Sequence, residues 1–164
     1  MGRLRQGRAQ ALARAAPLTR GEVLRWGALA VLATAGMGIA AYLTYSRYAD
    51  QPIACGGLSG CEAVQNSEYS KVVGIPVAVL GMLFCAVLLA LVMARLARLP
   101  LTEEWAPVAA FSMTLTGVAF AAYLTYIELF VVENVCLWCA SFAVIITIAW
   151  LITIADVLLA PTKE

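Results

Sequence analysis

Four apolar stretches, at residues 26–45, 75–96, 105–127 and 135–159, dominate this chain of 164 residues. At 1.5 Å rise per residue, a helix needs about 20 mostly apolar residues to cross a bilayer core of about 30 Å, and each stretch is long enough. Hydrophobic residues make up 63% of the chain and charged residues 13%. A soluble domain is nearer ~45–50% apolar. The chain is therefore predicted to be all-α, an integral membrane four-helix bundle: a basic segment over 1–25, then a single membrane domain over 26–160, with no room for a soluble domain.

The net charge of +1 conceals an uneven distribution. Arg3, Arg5, Arg8, Arg14, Arg20 and Arg25 precede the first stretch, Arg95 and Arg98 fall between the second and third, and Lys163 follows the fourth; only Arg47 and Lys71 lie on the other side. The excess of Lys and Arg on cytoplasmic loops predicts that both termini are cytoplasmic and that the segments 46–74 and 128–136 face the exterior. A basic tail for nucleic acid or lipid headgroups is the alternative reading of the leader. The leader also resembles a secretory signal, but its apolar run is longer than the ~7–15 residues of a signal core and ends at Tyr42, Tyr45 and Tyr48, like an interfacial belt, so it reads as a retained helix.

A repeat links the two halves. Ala-Ala-Tyr-Leu-Thr-Tyr stands at 40–45 and again at 121–126, and the same offset of 81 residues relates Gly36 to Gly117 and Cys55 to Cys136. Each unit reads as a helix, an outer segment carrying cysteine, and a returning helix, the pattern of a duplicated two-helix half.

In the first outer segment Cys55 and Cys61 flank Gly56, Gly57, Leu58, Ser59 and Gly60. The glycines let the backbone turn, and a bridge needing Cα atoms ~4.4–6.8 Å apart is feasible. Residues 61–73 place Ala63, Val64, Ser67 and Ser70 at helical spacing opposite Glu62, Glu68 and Lys71. This predicts a short amphipathic helix lying over the bundle as a lid. Gly74-Ile75-Pro76 reads as the start of the second helix, and Thr102-Glu103-Glu104 as the capping hydroxyl and acidic first turn of the third. Asp156 reads as a headgroup-level residue rather than a proton carrier.

Cys136-Leu137-Trp138-Cys139 opens the fourth stretch. On a helix, residues three apart share a face and differ in height by ~4.5 Å, which predicts one thiol toward water and the other toward the membrane interior. A helix N-terminus also favours the thiolate. A Cys-x-x-Cys bridge closes too short a loop to constrain the unfolded chain much, and such pairs are usually redox-active. Two exterior pairs then suggest a relay by thiol–disulfide exchange, with Cys136 meeting the loop pair and Cys139, one turn deeper, handing two electrons to an acceptor in the lipid. A lipid quinone suits that place, because the chain has no histidine, no Rossmann glycine signature and no iron–sulfur cysteine spacing. Competing readings are a four-cysteine zinc site, permanent structural disulfides, and a tetraspan scaffold or small transporter with structural or metal-binding cysteines. Cys85, within the second stretch, reads as a buried small hydrophobe.

Taken together, Cys55 and Cys61, Ser67 six residues after Cys61, Gly-Ile-Pro at 74–76 with Gly81 five beyond, and Cys136-Leu-Trp-Cys139 before the last helix resemble the bacterial homologues of vitamin K epoxide reductase, over nearly all of residues 23–160. The resemblance implies a four-helix bundle around a quinone of ubiquinone or menaquinone type. Cys136 and Cys139 would be the active pair, Cys55 and Cys61 the shuttle disulfide, and Ser67, Trp138 and Phe142 would contact the quinone. It also implies a partner, a periplasmic thioredoxin-like protein that the enzyme reoxidises in the inner membrane, as DsbB does for DsbA. Because the sequence ends at Glu164 without the thioredoxin-like domain fused to many bacterial members, that partner is expected to be a separate protein. Animal enzymes carry a tyrosine four residues after the second active cysteine, where Ala143 stands here. The quinone is therefore expected to be held differently, and epoxide reduction is not expected.

Overall fold

A computed structural model describes residues 18–55, 60–99, 102 and 105–159. Arg3, Arg5, Arg8, Arg14, Lys163, the loop residues 56–59, and Glu103 and Glu104, all used in the sequence reading, lie outside the described residues. The elements are α1 (Arg20–Tyr48), α2 (Gly60–Asn66), a 3-10 turn (Glu68–Ser70), β1 (Lys71–Val72), β2 (Ile75–Pro76), α3 (Val77–Leu96), α4 (Ala106–Phe130) and α5 (Leu137–Leu159). The four long helices α1, α3, α4 and α5 are each long and apolar enough to cross a membrane. With Val31, Leu83, Val108, Val144 and Leu151 turned outward, they present apolar side chains to their surroundings as well as to each other. The chain is a multi-pass membrane protein.

Several boundaries differ from the sequence reading. α1 begins at Arg20, inside the segment expected to be a basic leader, because Thr19 and Glu22 form a reciprocal capping box: the Thr19 hydroxyl accepts the Glu22 N–H, and Glu22 accepts the Thr19 N–H at 2.8 Å. Thr102 does not cap α4. Its hydroxyl donates to the Leu99 carbonyl at 2.8 Å, closing the end of α3, and Trp105 stands before α4 without a side-chain cap.

The lid is the largest correction. Instead of one helix over 61–73, helix α2 stops at Asn66. Ser67 is extended, and its hydroxyl donates to the Val64 carbonyl at 2.7 Å, taking an acceptor that a continuing helix would use. The 3-10 turn follows, and then a two-stranded antiparallel hairpin pairs Lys71 with Pro76 and Val72 with Ile75. Its turn residues Val73 and Gly74 both have positive φ, 52° and 82°, as a two-residue turn of the primed kind requires. At the end of α2, Arg47, from the last turn of α1, donates to the Gln65 carbonyl at 2.8 Å and to Asn66 Oδ1 at 3.0 Å, satisfying a carbonyl that the end of a helix leaves open.

In the bundle α1 packs extensively on α3 and on α5, and α4 on α5, while α3 and α4 touch only slightly. Trp26, Leu29, Leu88, Val92, Ala106, Ala110, Ile146 and Ala149 form the buried core of its inner half. The Thr114 and Thr153 hydroxyls lie 2.9 Å apart inside it and tie α4 to α5. Near the α1 start, Arg25 Nε pairs with Asp156 Oδ1 at 2.8 Å and Trp26 Nε1 donates to Asp156 Oδ2 at 3.1 Å. Arg95 lies 3.7 Å from Glu22 and over the Trp26 ring. Asp156 is buried and paired, and two of the arginines that mark topology have acidic partners.

Candidate functional site

The opposite end of the bundle holds all four loop and helix-start cysteines. Cys55 and Cys61 are joined as a disulfide, their Cα atoms 6.1 Å apart, which removes two thiolates from a four-cysteine zinc set. Cys85 is a free, buried thiol against Gly36, as expected for a small hydrophobe. Cys136 and Cys139 are also free.

The loop disulfide is seated on the start of α5. Gly60 makes this possible: a β-carbon there would stand 2.5 Å from the Val135 carbonyl oxygen, so only glycine lets α2 approach the backbone leading to Cys136. Cys55, Cys61 and Cys136 form one buried cluster with Ile53, Val64, Trp138 and Cys139 around it, and both Cys61 and Cys136 are fully buried at 0% exposure. Cys55 is held from the other side, since the Tyr42 hydroxyl accepts the Ala54 N–H at 3.0 Å and Trp138 Nε1 donates to the Ala54 carbonyl at 2.8 Å. The two rings meet with centroids 5.0 Å apart.

Cys136 stands just before α5. Its carbonyl accepts the Ala140 N–H at 2.9 Å and its sulfur accepts the Cys139 N–H at 3.4 Å, so the sulfur occupies a capping place where partial positive charge collects. Its thiol is held below the ordinary cysteine range, first by the hydrogen bond from the Cys139 side chain and further by the N–H groups of Cys139 and Trp138; burial and the nearby Glu128 charge oppose this. The expectation that Cys136 faces water is thus corrected: it faces the loop disulfide.

Cys139 lines a cavity of about 340 Å³ between the helices and under the lid. Its walls carry the Phe84, Phe120 and Phe142 rings with Leu43 and Leu124, and Ser67, Tyr69 and Ser70 close it from the lid side. The repeat reappears here: Ile39, Ala40 and Leu43 of α1 and Phe120, Ala121 and Leu124 of α4 all line it, each pair separated by the same offset as Cys55 and Cys136. Gly117 lets the Phe84 and Ile146 side chains close in beneath, where a β-carbon would come within 3.0 Å of Phe84. Two copies of one helix thus wall a single space.

Residues 27–154 match the Vitamin K epoxide reductase family. The chain belongs to that family. Membership in the Vitamin K epoxide reductase family is consistent with an oxidoreductase role for this membrane protein, and quinone linkage is general within the family.

Of the residues expected at a quinone, Phe142 and Ser67 line the cavity of this family member, although the Ser67 hydroxyl proton is engaged with Val64. Trp138 does not line it, and its indole instead holds the loop at Ala54. Glu128 is not among the residues that the sequence singles out. It is 5% exposed, lines the cavity, and accepts the Cys136 N–H through Oε2 at 3.2 Å. A carboxylate two residues from the end of an otherwise apolar helix was its available signal.

Proposed function

We propose that this protein is a thiol–disulfide oxidoreductase that reoxidises a periplasmic thioredoxin-like protein of the DsbA type and delivers the two electrons to a lipid quinone, thereby supporting disulfide formation outside the inner membrane. The observation that carries this reading is the continuity of sulfur. The loop disulfide Cys55–Cys61 packs in one buried cluster with Cys136, and Cys139, three residues on, borders an apolar cavity between the long helices.

Each group then has one task. The reduced partner attacks the loop disulfide, and Cys61, buried against Cys136, exchanges with it, so that Cys55 remains the residue presented to the partner. Capping by the Cys139 N–H favours the Cys136 thiolate in each exchange. When bound, a quinone supplies a two-electron, two-proton acceptor. The aromatic and aliphatic walls suit its ring and tail, and the slight contact between α3 and α4 leaves a side open toward lipid. Within the walls, Phe142 and Phe120 line the same space as Cys139 and surround it with apolar surface.

Orientation is supported by the two ends of the bundle: the cysteines at the α1 end and α5 start, and the arginines Arg25, Arg95 and Arg98 at the other. A cysteine placed at Arg98 should resist a membrane-impermeant reagent applied from outside, and labelling there would reverse the proposed orientation.

The direct test combines purified protein in lipid, a short-tailed quinone and a reduced thioredoxin-like protein. Loss of quinone absorbance should match the partner disulfides formed, one for one. Partner oxidation without quinone consumption, or neither, would overturn the reading.

A further inference from the structure

Resting on that reading, we infer that Glu128 is the proton acceptor for the Cys139 thiol. Its carboxyl stands between the two cysteines of the helix start: Oε2 accepts the Cys136 N–H at 3.2 Å, and Glu128 lines the same cavity as Cys139. It borders the cavity together with Cys139, and among the described lining residues it is the only carboxylate, with no Lys or Arg beside it. The other titratable side chains around it are Cys136 and Cys139 at the start of α5 and, on the lid, Tyr69. A carboxylate buried to 5% exposure in an apolar wall is costly unless it is used or paired, and one backbone N–H does not neutralise it.

The proton balance requires such a group. Forming the Cys136–Cys139 bond releases one proton from each thiol and an electron pair to the quinone. Cys136 is disposed to give up its proton early, through its capping position. Cys139 is only partly buried and borders the apolar cavity, in whose lining Glu128 is the carboxylate placed to take its proton. Glu128 takes that proton as the sulfur–sulfur bond forms and releases it toward the cavity, where one oxygen of the reduced acceptor receives it; solvent supplies the second proton, replacing the one Cys136 gave up.

Glu128→Gln separates this role from a structural one, because the amide oxygen can still accept the Cys136 N–H while the side chain no longer takes a proton. Two measurements are read on the same protein. The first is quinone-linked turnover, expected to fall about 10²-fold or more, in the range of general acid–base contributions. The second, made on reduced protein in quinone-free detergent, is the rate at which a small maleimide modifies Cys139, followed by peptide mass spectrometry. That rate should rise at a fixed neutral pH, because a negative charge opposing the Cys139 thiolate is gone. A Glu128 that acts only through its charge predicts faster alkylation with normal turnover, one that serves only as a hydrogen-bond acceptor predicts no change in either, and a displaced Cys136 predicts lower turnover with alkylation unchanged; any of these results overturns the inference. A wild-type protein unable to reduce quinone would be seen first, in the same assay, and would sink the functional reading itself.

Discussion

Gly60 lies so close to Val135 that a β-carbon on it would stand 2.5 Å from the Val135 carbonyl oxygen and 3.0 Å from its nitrogen. This contact sets the loop disulfide against Cys136, because Cys61 follows Gly60 and Cys136 follows Val135. In a Cys139→Ala protein, attack of the Cys136 thiolate on the loop disulfide should yield a Cys61–Cys136 link, with Cys55 released as the free thiol and no Cys139 to resolve it; alkylation of that Cys55 thiol traps the link for mass spectrometry of non-reduced peptides. Adding Gly60→Ala should abolish that link, and in the otherwise wild-type chain it should lower partner oxidation ~10²-fold, as misplacements of about 1 Å do. A dominant Cys55–Cys136 link would reverse the roles assigned to the loop cysteines.

Trp138→Phe retains a ring beside Tyr42 but removes the donor to the Ala54 carbonyl. The loss is worth about 1 kcal/mol of loop anchoring. Small thiols should reduce the Cys55–Cys61 bond several-fold faster in the variant, while quinone affinity is unaltered, since the indole stands outside the cavity. A large rise in the quinone KM would place Trp138 at the acceptor after all.

The depressed Cys136 pKa has a defined pH signature. Thiolate-dependent reaction of the reduced pair with a small disulfide should rise with pH and level off below the ~8.5 midpoint of an ordinary cysteine. Cys139→Ala removes the leading cause and should move the midpoint up. The stability sign follows: for a group whose folded pKa is lowered, the stabilisation is fully present above the unfolded-chain value and is lost as pH falls through the folded value. Thermal unfolding of reduced protein in detergent should therefore show a stability term that declines on acidification and is weaker in the Cys139→Ala variant.

At the far end of the bundle, Asp156→Ala leaves both Arg25 and the Trp26 indole without their acceptor. Breaking a buried pair costs about 3–5 kcal/mol, and the partial exposure of Arg25 puts the loss at or below the lower figure. A lowered unfolding temperature in detergent with unchanged turnover at permissive temperature is the expected result. Loss of turnover with normal stability would show that this end takes part in the chemistry.

The amino-acid sequence by itself determined the four spanning helices, the two cysteine pairs and the duplicated half, because each is written in local composition or in short spacings. Long apolar runs have one stable solution in lipid, since their backbone groups must bond within the segment. It also carried the family likeness, through Cys55, Cys61, Ser67, Gly-Ile-Pro at 74–76 and the Cys136 pair. Tertiary structure alone decided the environment of each group. The lid helix ends at Ser67 because a serine hydroxyl took a backbone acceptor, a competition that helical periodicity does not register. Cys136 became the buried partner of the loop, Trp138 a clamp on Ala54 and Glu128 the acceptor of the Cys136 N–H in the cavity that Cys139 borders, through packing between residues 8 to 84 positions apart. Spacing along one helix gives relative height and face; what occupies that face depends on which other segments the whole chain brings there.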